Sequence, residues 1–189
     1  MSRVTVEPFV VPFTVLVDSA ESQPFTFQNI EGDSDVQGRP LVIKCDWCSL
    51  GRYPHSLGDY SIEGFQGRVA VERKSMDDYW GTLLGWETTH QRDRSMAGRR
   101  ERFEKELENL ASIEAAMVVV EATFDQCLRE VPQWGKRSNR QNAKSLLRST
   151  LAYMQDYKVS FLFCDGRRLA EVSTFRFLQR FWRKQQEVA

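Results

Sequence analysis

The chain has 189 residues, 41% of them hydrophobic, and 26 lysines and arginines balance 26 aspartates and glutamates, so the formal net charge is zero. This length suits one domain whose core needs no staples, and the charge balance excludes a uniformly basic nucleic-acid coat. There is no apolar run long enough to span a bilayer and no basic-then-apolar leader, so an intracellular protein without a membrane partner is expected, cytoplasmic if prokaryotic or phage-encoded.

Residues 1–13 hold Pro8 and Pro12 among apolar residues and read as an extended arm, with the domain running from 14 to 189. Residues 14–18 read as a strand. A loop with Pro24, Gly32, Gly38 and Pro40 leads to a second strand over 41–47. Cys45-x-x-Cys48 has the spacing of half a zinc site, with His55 or His90 as partners, but no second cysteine pair sits at zinc-ribbon spacing. Both cysteines are therefore expected in or at the end of a core strand as small apolar side chains.

The next stretch carries the chemistry. Residues 59–62 alternate, Gly64 to Gly67 supplies turn residues, and Arg68-Val-Ala-Val-Glu-Arg-Lys74 alternates again, which predicts two adjacent antiparallel strands. Glu72 and Lys74 are two apart and share one face, while Arg73 points to the other. Asp59 starts the first of these strands, within reach of Glu72 across the hairpin. A phosphodiester repels hydroxide, so its hydrolysis needs charge neutralisation, an oriented water and help for the leaving oxygen, and hard cations held by carboxylates supply these. Asp59, Glu72 and the backbone carbonyl of Arg73 form a candidate site for Mg2+ or Mn2+. Lys74 beside two anions keeps its charge, which gives it an electrostatic and water-positioning role and argues against a free-amine base.

Ser75 is a candidate N-cap for a helix ending near Gly85, with Asp78 either in a reciprocal capping contact or at the site. Arg92, Arg94, Arg99, Arg100 and Arg102 crowd the next stretch and are the candidate DNA-backbone contacts; a helix resumes over 99–110 with Phe103, Leu107 and Leu110 on one face. Residues 117–120 read as a buried strand. A polar loop over 132–139 holds Trp134, and a second basic run comprises Lys136, Arg137, Arg140, Lys144 and Arg148; each run has the alternative reading of a solvated helix face. An amphipathic helix over 142–157 is expected to turn Leu146, Leu147, Thr150, Leu151 and Met154 inward, and residues 159–164 to form a second buried strand. The last helix, 168–186, carries Phe175, Phe177, Leu178, Phe181 and Trp182 over an unusually wide apolar face, which suits a homodimer interface.

Gly58-Asp59, a spacer, Glu72-Arg73-Lys74, three residues and Asp78 resemble the motif of the XPF-type structure-specific endonucleases, within the wider PD-(D/E)xK class. The resemblance covers residues 14 to 185. It implies an α/β, restriction-endonuclease-like fold, a central mixed sheet with helices on both sides, and metal-dependent cleavage of branched, flapped or otherwise structured DNA. It also matches Asp18-Ser-Ala-Glu21 to the family's Asp-x-Arg-Glu turn, adding Asp18 and Glu21 to an acidic wall; Ala20 stands where the family has arginine. Larger family members carry a DNA-holding helix-hairpin-helix pair after the nuclease region, here expected to be absent or supplied by a partner chain. The alternative is a catalytically weak or inactive DNA-binding scaffold of the same fold.

Overall fold

The structure, a computed structural model, describes residues 6–33, 36–52, 54–85, 96–133 and 136–188. In chain order the elements are β1 (Phe9–Asp18), β2 (Leu41–Cys48), β3 (Tyr60–Ile62), β4 (Val69–Lys74), α1 (Met76–Leu84), α2 (Met96–Ala111), β5 (Ala115–Val120), α3 (Phe124–Arg129), α4 (Asn139–Tyr157), β6 (Ser160–Phe163) and α5 (Arg167–Val188). One mixed sheet runs β2-β1-β3-β4-β5-β6. Only the β1–β3 and β3–β4 pairings are antiparallel among the described residues. Every strand but β3 therefore points the same way, and the carboxyl ends of β1, β4 and β5 share one edge, where ligands of open α/β sheets bind.

The two-residue period of the strands builds a core on each face. Val69 and Val71 of β4, with Met117 and Val119 of β5, point into a core covered by α5. Ala70, Val118 and Val120 point into the other, covered by α1, α2, α3 and α4. The expected α/β architecture with helices on both sides is what forms. No helix among the described residues is long and apolar enough to cross a membrane.

Several elements differ from the sequence reading. β1 starts at Phe9 rather than 14, and its register with β2 shifts between Val10 and Thr14, the irregularity at which Pro12, with no N–H to give, is accommodated. β2 and β6 are the sheet edges, so neither is a buried strand: Cys45 is exposed, Cys48 is half-buried, and Leu162 is exposed. Helix α2 begins at Met96 and runs through Gly98. Helix α3 was not anticipated, although Thr123 and Gln126 form a complete capping box at its start.

Helix α4 is rotated from the expected stripe. Asn142, Leu146, Thr150 and Tyr153 face inward, and Leu147, Leu151 and Met154 are 38%, 52% and 39% exposed. Polar residues hold the inner positions because their groups are satisfied there. Asn142 Nδ2 donates to Pro132 O at 3.0 Å, while Thr150 Oγ1 donates to Leu146 O at 2.7 Å and pairs with the Tyr79 hydroxyl.

Part of the aromatic face of α5 is covered within the chain. Phe175, Leu178 and Phe181 are buried, Trp182 stacks on Phe13 at 5.6 Å between ring centroids, and Phe65 meets Phe181 edge-on at 5.6 Å. Phe175, Leu178 and Phe181 thus have partners within the chain, while Phe177 and Trp182 stay half-buried.

Candidate active site

Strand pairing brings the hairpin acids together. Tyr60 lies opposite Val71 in the antiparallel β3–β4 pair, so Asp59, one residue before, lies opposite Glu72. The Asp59 N–H donates to Val71 O at 2.9 Å and the Arg73 N–H donates to Asp59 Oδ2 at 2.7 Å, fixing the carboxylate over β4. Gly58 makes the approach possible: its φ is +83°, and a Cβ there would sit 3.0 Å from Val71 O.

Alternation then divides the motif between the two faces of β4. Glu72 and Lys74 follow Ala70 onto the face beneath α1 and α2. There the Lys74 ammonium contacts Glu72 Oε1 and lies 3.6 Å from Glu106 Oε2 and 4.9 Å from the Phe103 ring centroid. Glu106, on α2, is the residue that sequence reasoning left out of the site. It sits three residues after Phe103 on the helix's inner side, and that spacing was the available signal.

Three carboxylates, Asp59, Glu72 and Glu106, thus face one lysine. Burial pushes the Asp59 carboxyl up to about 7, against the opposing pull of the Lys74 charge and the Arg73 N–H. Burial, then the negative charges of Asp59 and Glu106, raise Glu72 well above the usual carboxylate range. Burial alone would lower Lys74, but Glu72, Glu106 and Asp59 outweigh it and hold the ammonium charged. Glu72 is 4% exposed, and its Oε2 has no hydrogen-bond partner. A buried acidic oxygen without a donor is costly, and a hard cation fits that deficit. Among the described residues no three histidine, cysteine or carboxylate side chains form a ready-made metal cluster. The side-chain donors of Asp59 and Glu72 are hard carboxylate oxygens, which suit Mg2+, an ion that keeps several waters.

On the other face Arg73 is fully engaged. Its Nε donates to Glu121 Oε1 at 2.7 Å, its Nη1 lies 3.3 Å from Glu21 Oε2, and its guanidinium lies 5.7 Å from the Phe25 ring centroid. Arg167 joins Glu121 at 2.7 Å and donates to the Gln23 and Pro24 carbonyls. Glu21 therefore holds Arg73. Asp18 likewise accepts from Ala20 N at 2.7 Å and Leu50 N at 2.6 Å. Both border the cleft, but their carboxylates organise protein, and Glu106 supplies the third acid beside Asp59 and Glu72. Asp78 accepts from the Ser75 hydroxyl at 2.7 Å while its N–H donates back to Ser75 Oγ, so the capping contact exists at the cleft's rim.

The cleft has two lobes, about 600 and about 310 Å³, which share Ala20, Asp59, Arg102 and Glu106. Ala20 lines both lobes. Arg99 and Arg102 line the smaller lobe. Arg100 instead pairs with Glu104 at 2.9 Å, next to Tyr153. Arg92, Arg94, His90 and Trp134 lie outside the described residues. A floor of acids under a rim with arginines is an arrangement that receives a cation and a phosphate together.

No protein-family model and no curated protein matches the chain by sequence. Solved structures do match. XPF from Aeropyrum pernix superposes with a TM-score of 0.57 at 18% identity, covering 93% of this chain and 68% of that one. The same protein in complex with DNA gives 0.55 at 17%, covering 91% and 66%. The chain has the fold of those structures and spans about two thirds of their length.

Proposed function

We propose that the chain is a divalent-cation-dependent DNA endonuclease acting on branched, flapped or otherwise structured DNA. The observation that carries the reading is the buried, partnerless Glu72 Oε2 beside Asp59, Glu106 and the charged Lys74. The motif spacing and a fold shared with XPF support it, and the DNA-bound neighbour supports DNA as the polymer.

Asp59 and Glu72, with the Arg73 carbonyl, would hold Mg2+ or Mn2+. When bound, the cation supplies Lewis acidity toward the scissile phosphate and a more acidic water. The rest is done by the chain. Lys74, kept protonated by its three carboxylate neighbours, donates hydrogen bonds that orient the attacking water and offset charge on the phosphate oxygens. Glu106 tethers Lys74 from α2. Arg99 and Arg102 receive the DNA backbone at the rim, and Asp78 caps α1 beside it. Arg73 secures Glu21 and Glu121 and so fixes β4.

A second copy or a partner chain with DNA-holding modules adds shape selectivity in this reading, and sedimentation with and without branched DNA checks it. The second reading, a weak or inactive scaffold of the same fold, is favoured by Ala20. Incubating branched and linear DNAs with Mg2+ or Mn2+, alongside Glu72→Ala, separates the two. Cation-dependent cutting lost in the variant supports the nuclease; DNA binding without cutting supports the scaffold.

A further inference from the structure

The second basic run is unlike the others in the molecule. Lys136 and Arg137 precede α4, and Arg140, Lys144 and Arg148 follow at four-residue spacing on its surface, so the last three form one ridge about 12 Å long at 1.5 Å rise per residue. All five are exposed, and none joins an ion pair among the described residues. Several arginines elsewhere are matched, Arg68 with Glu114, Arg129 with Asp125, Arg168 with Glu171, and Arg176 with Asp33, and among the described residues no other exposed, unpaired cations are arrayed at helical spacing along α4.

The placement is also unfavourable for the helix alone. There is no acid in the first turn of α4, and cations crowd the end where the macrodipole is positive. Ser138 and Gln141 already satisfy the cap, so no local hydrogen bond requires these charges. An anion lying along the ridge removes the repulsion.

Arg137 and Arg148 of the basic run border a second cavity, built on helices that also line the cleft. This cavity, of about 640 Å³, lies between the end of α1, α2 and α4, lined by Leu83, Gly85, Arg100, Arg137, Arg148 and Ser149. Two of the same helices also line the cleft, through Asp78 and Thr82 of α1 and Arg99 and Arg102 of α2. Glu101 and Glu104 border the cavity too, and Glu104 is already held by Arg100 and the Tyr153 hydroxyl.

We propose that Arg140, Lys144 and Arg148, with Lys136 and Arg137, form a second DNA-backbone contact surface that carries a strand from the cleft across the α1–α2 crevice onto α4. It rests on the nuclease reading only for the identity of the polymer. The ridge makes charge contacts to phosphates and reads no bases.

The test is fluorescence anisotropy of a labelled single-stranded DNA with the full chain in EDTA, over a series of KCl concentrations. Three variants are compared with the unmodified chain: R140Q/K144Q/R148Q, the charge-matched K44Q/R180Q/K184Q away from α4, and E72Q. Each phosphate contact contributes about 0.7 to the slope of log affinity against log salt on single strands. The ridge variant is expected to flatten the slope by about 2, the charge-matched variant to leave it unchanged, and E72Q to keep it while losing cleavage in Mg2+. Equal slopes for the two triple variants, or no DNA binding by the unmodified chain, overturn the ridge. Wild-type cutting by E72Q overturns the nuclease mechanism and leaves the slope comparison to decide the ridge separately.

Discussion

The two faces of β4 solve opposite problems with adjacent residues. On one, Arg73 sits between Glu21 and Glu121, Arg167 completes the network, and Phe25 lies against both guanidiniums. On the other, Asp59, Glu72 and Glu106 crowd one ammonium, burial and their mutual repulsion raise the Asp59 and Glu72 carboxyls, and one Glu72 oxygen is left without a partner. The first face is complete as it stands and serves the fold. The second is left with strained acids that a proton or a cation relieves, a condition expected where a site is built for a ligand rather than for stability.

The largest test of that contrast is Glu72→Gln. It should lower cleavage by about a thousandfold or more, on the scale of losing a transition-state electrostatic contact. Cation-free stability should hold or rise, since a desolvated acid is replaced by a neutral amide; paired rate and urea-unfolding measurements check both. Arg73→Ala should do the reverse to the fold, because it leaves Glu21 without its ion-pair partner while Glu121 keeps only Arg167. Uncovering one buried carboxylate should cost about 3 kcal/mol in urea unfolding.

The third test is pH. Asp59 is raised from 3.8 to about 7 in the folded protein, so between those values the native state holds a proton that the unfolded chain has released. Stability of the cation-free protein should therefore fall as pH rises through that window and level off above it. The difference between the chain and its Asp59→Asn variant, followed by thermal melting from pH 4 to 8, isolates the effect; a difference independent of pH would contradict it. The smallest effect belongs to Ser75→Ala, which removes the α1 cap and should cost about 1 kcal/mol while cleavage persists. Loss of cutting out of proportion to that cost would move Asp78 from the cap into the chemistry.

The division of β4 was legible because Val-Ala-Val-Glu-Arg-Lys is a plain two-residue alternation, and the Gly-Asp turn before β3 was legible from its spacing. Glu106 was not. In the sequence it is one of several acids on α2, and only the docking of that helix over β4 turns it toward Lys74. Strand order explains a second miss, since nothing local to β2 or β6 says that the sheet ends there, leaving Cys45 and Leu162 exposed. Phe13 and Phe65, which cover part of the aromatic face of α5, come from distant segments, so that cover was not legible in α5 itself. On α4, Leu146 and Thr150 face inward as expected, but Asn142 and Tyr153 take the inner positions in place of Leu147, Leu151 and Met154, because the partner of the Asn142 amide, Pro132 O, is tertiary.

The acid cluster around Lys74 is tested most directly by calorimetric titration of Mn2+ into the DNA-free chain and its Glu72→Gln and Asp59→Asn variants at pH 6 and 8. Binding by the unmodified chain that releases protons at pH 6, tightens at pH 8 and is lost in both variants is the result expected. Absence of binding, or binding unchanged by Glu72→Gln, would contradict the assignment of this face as a cation site.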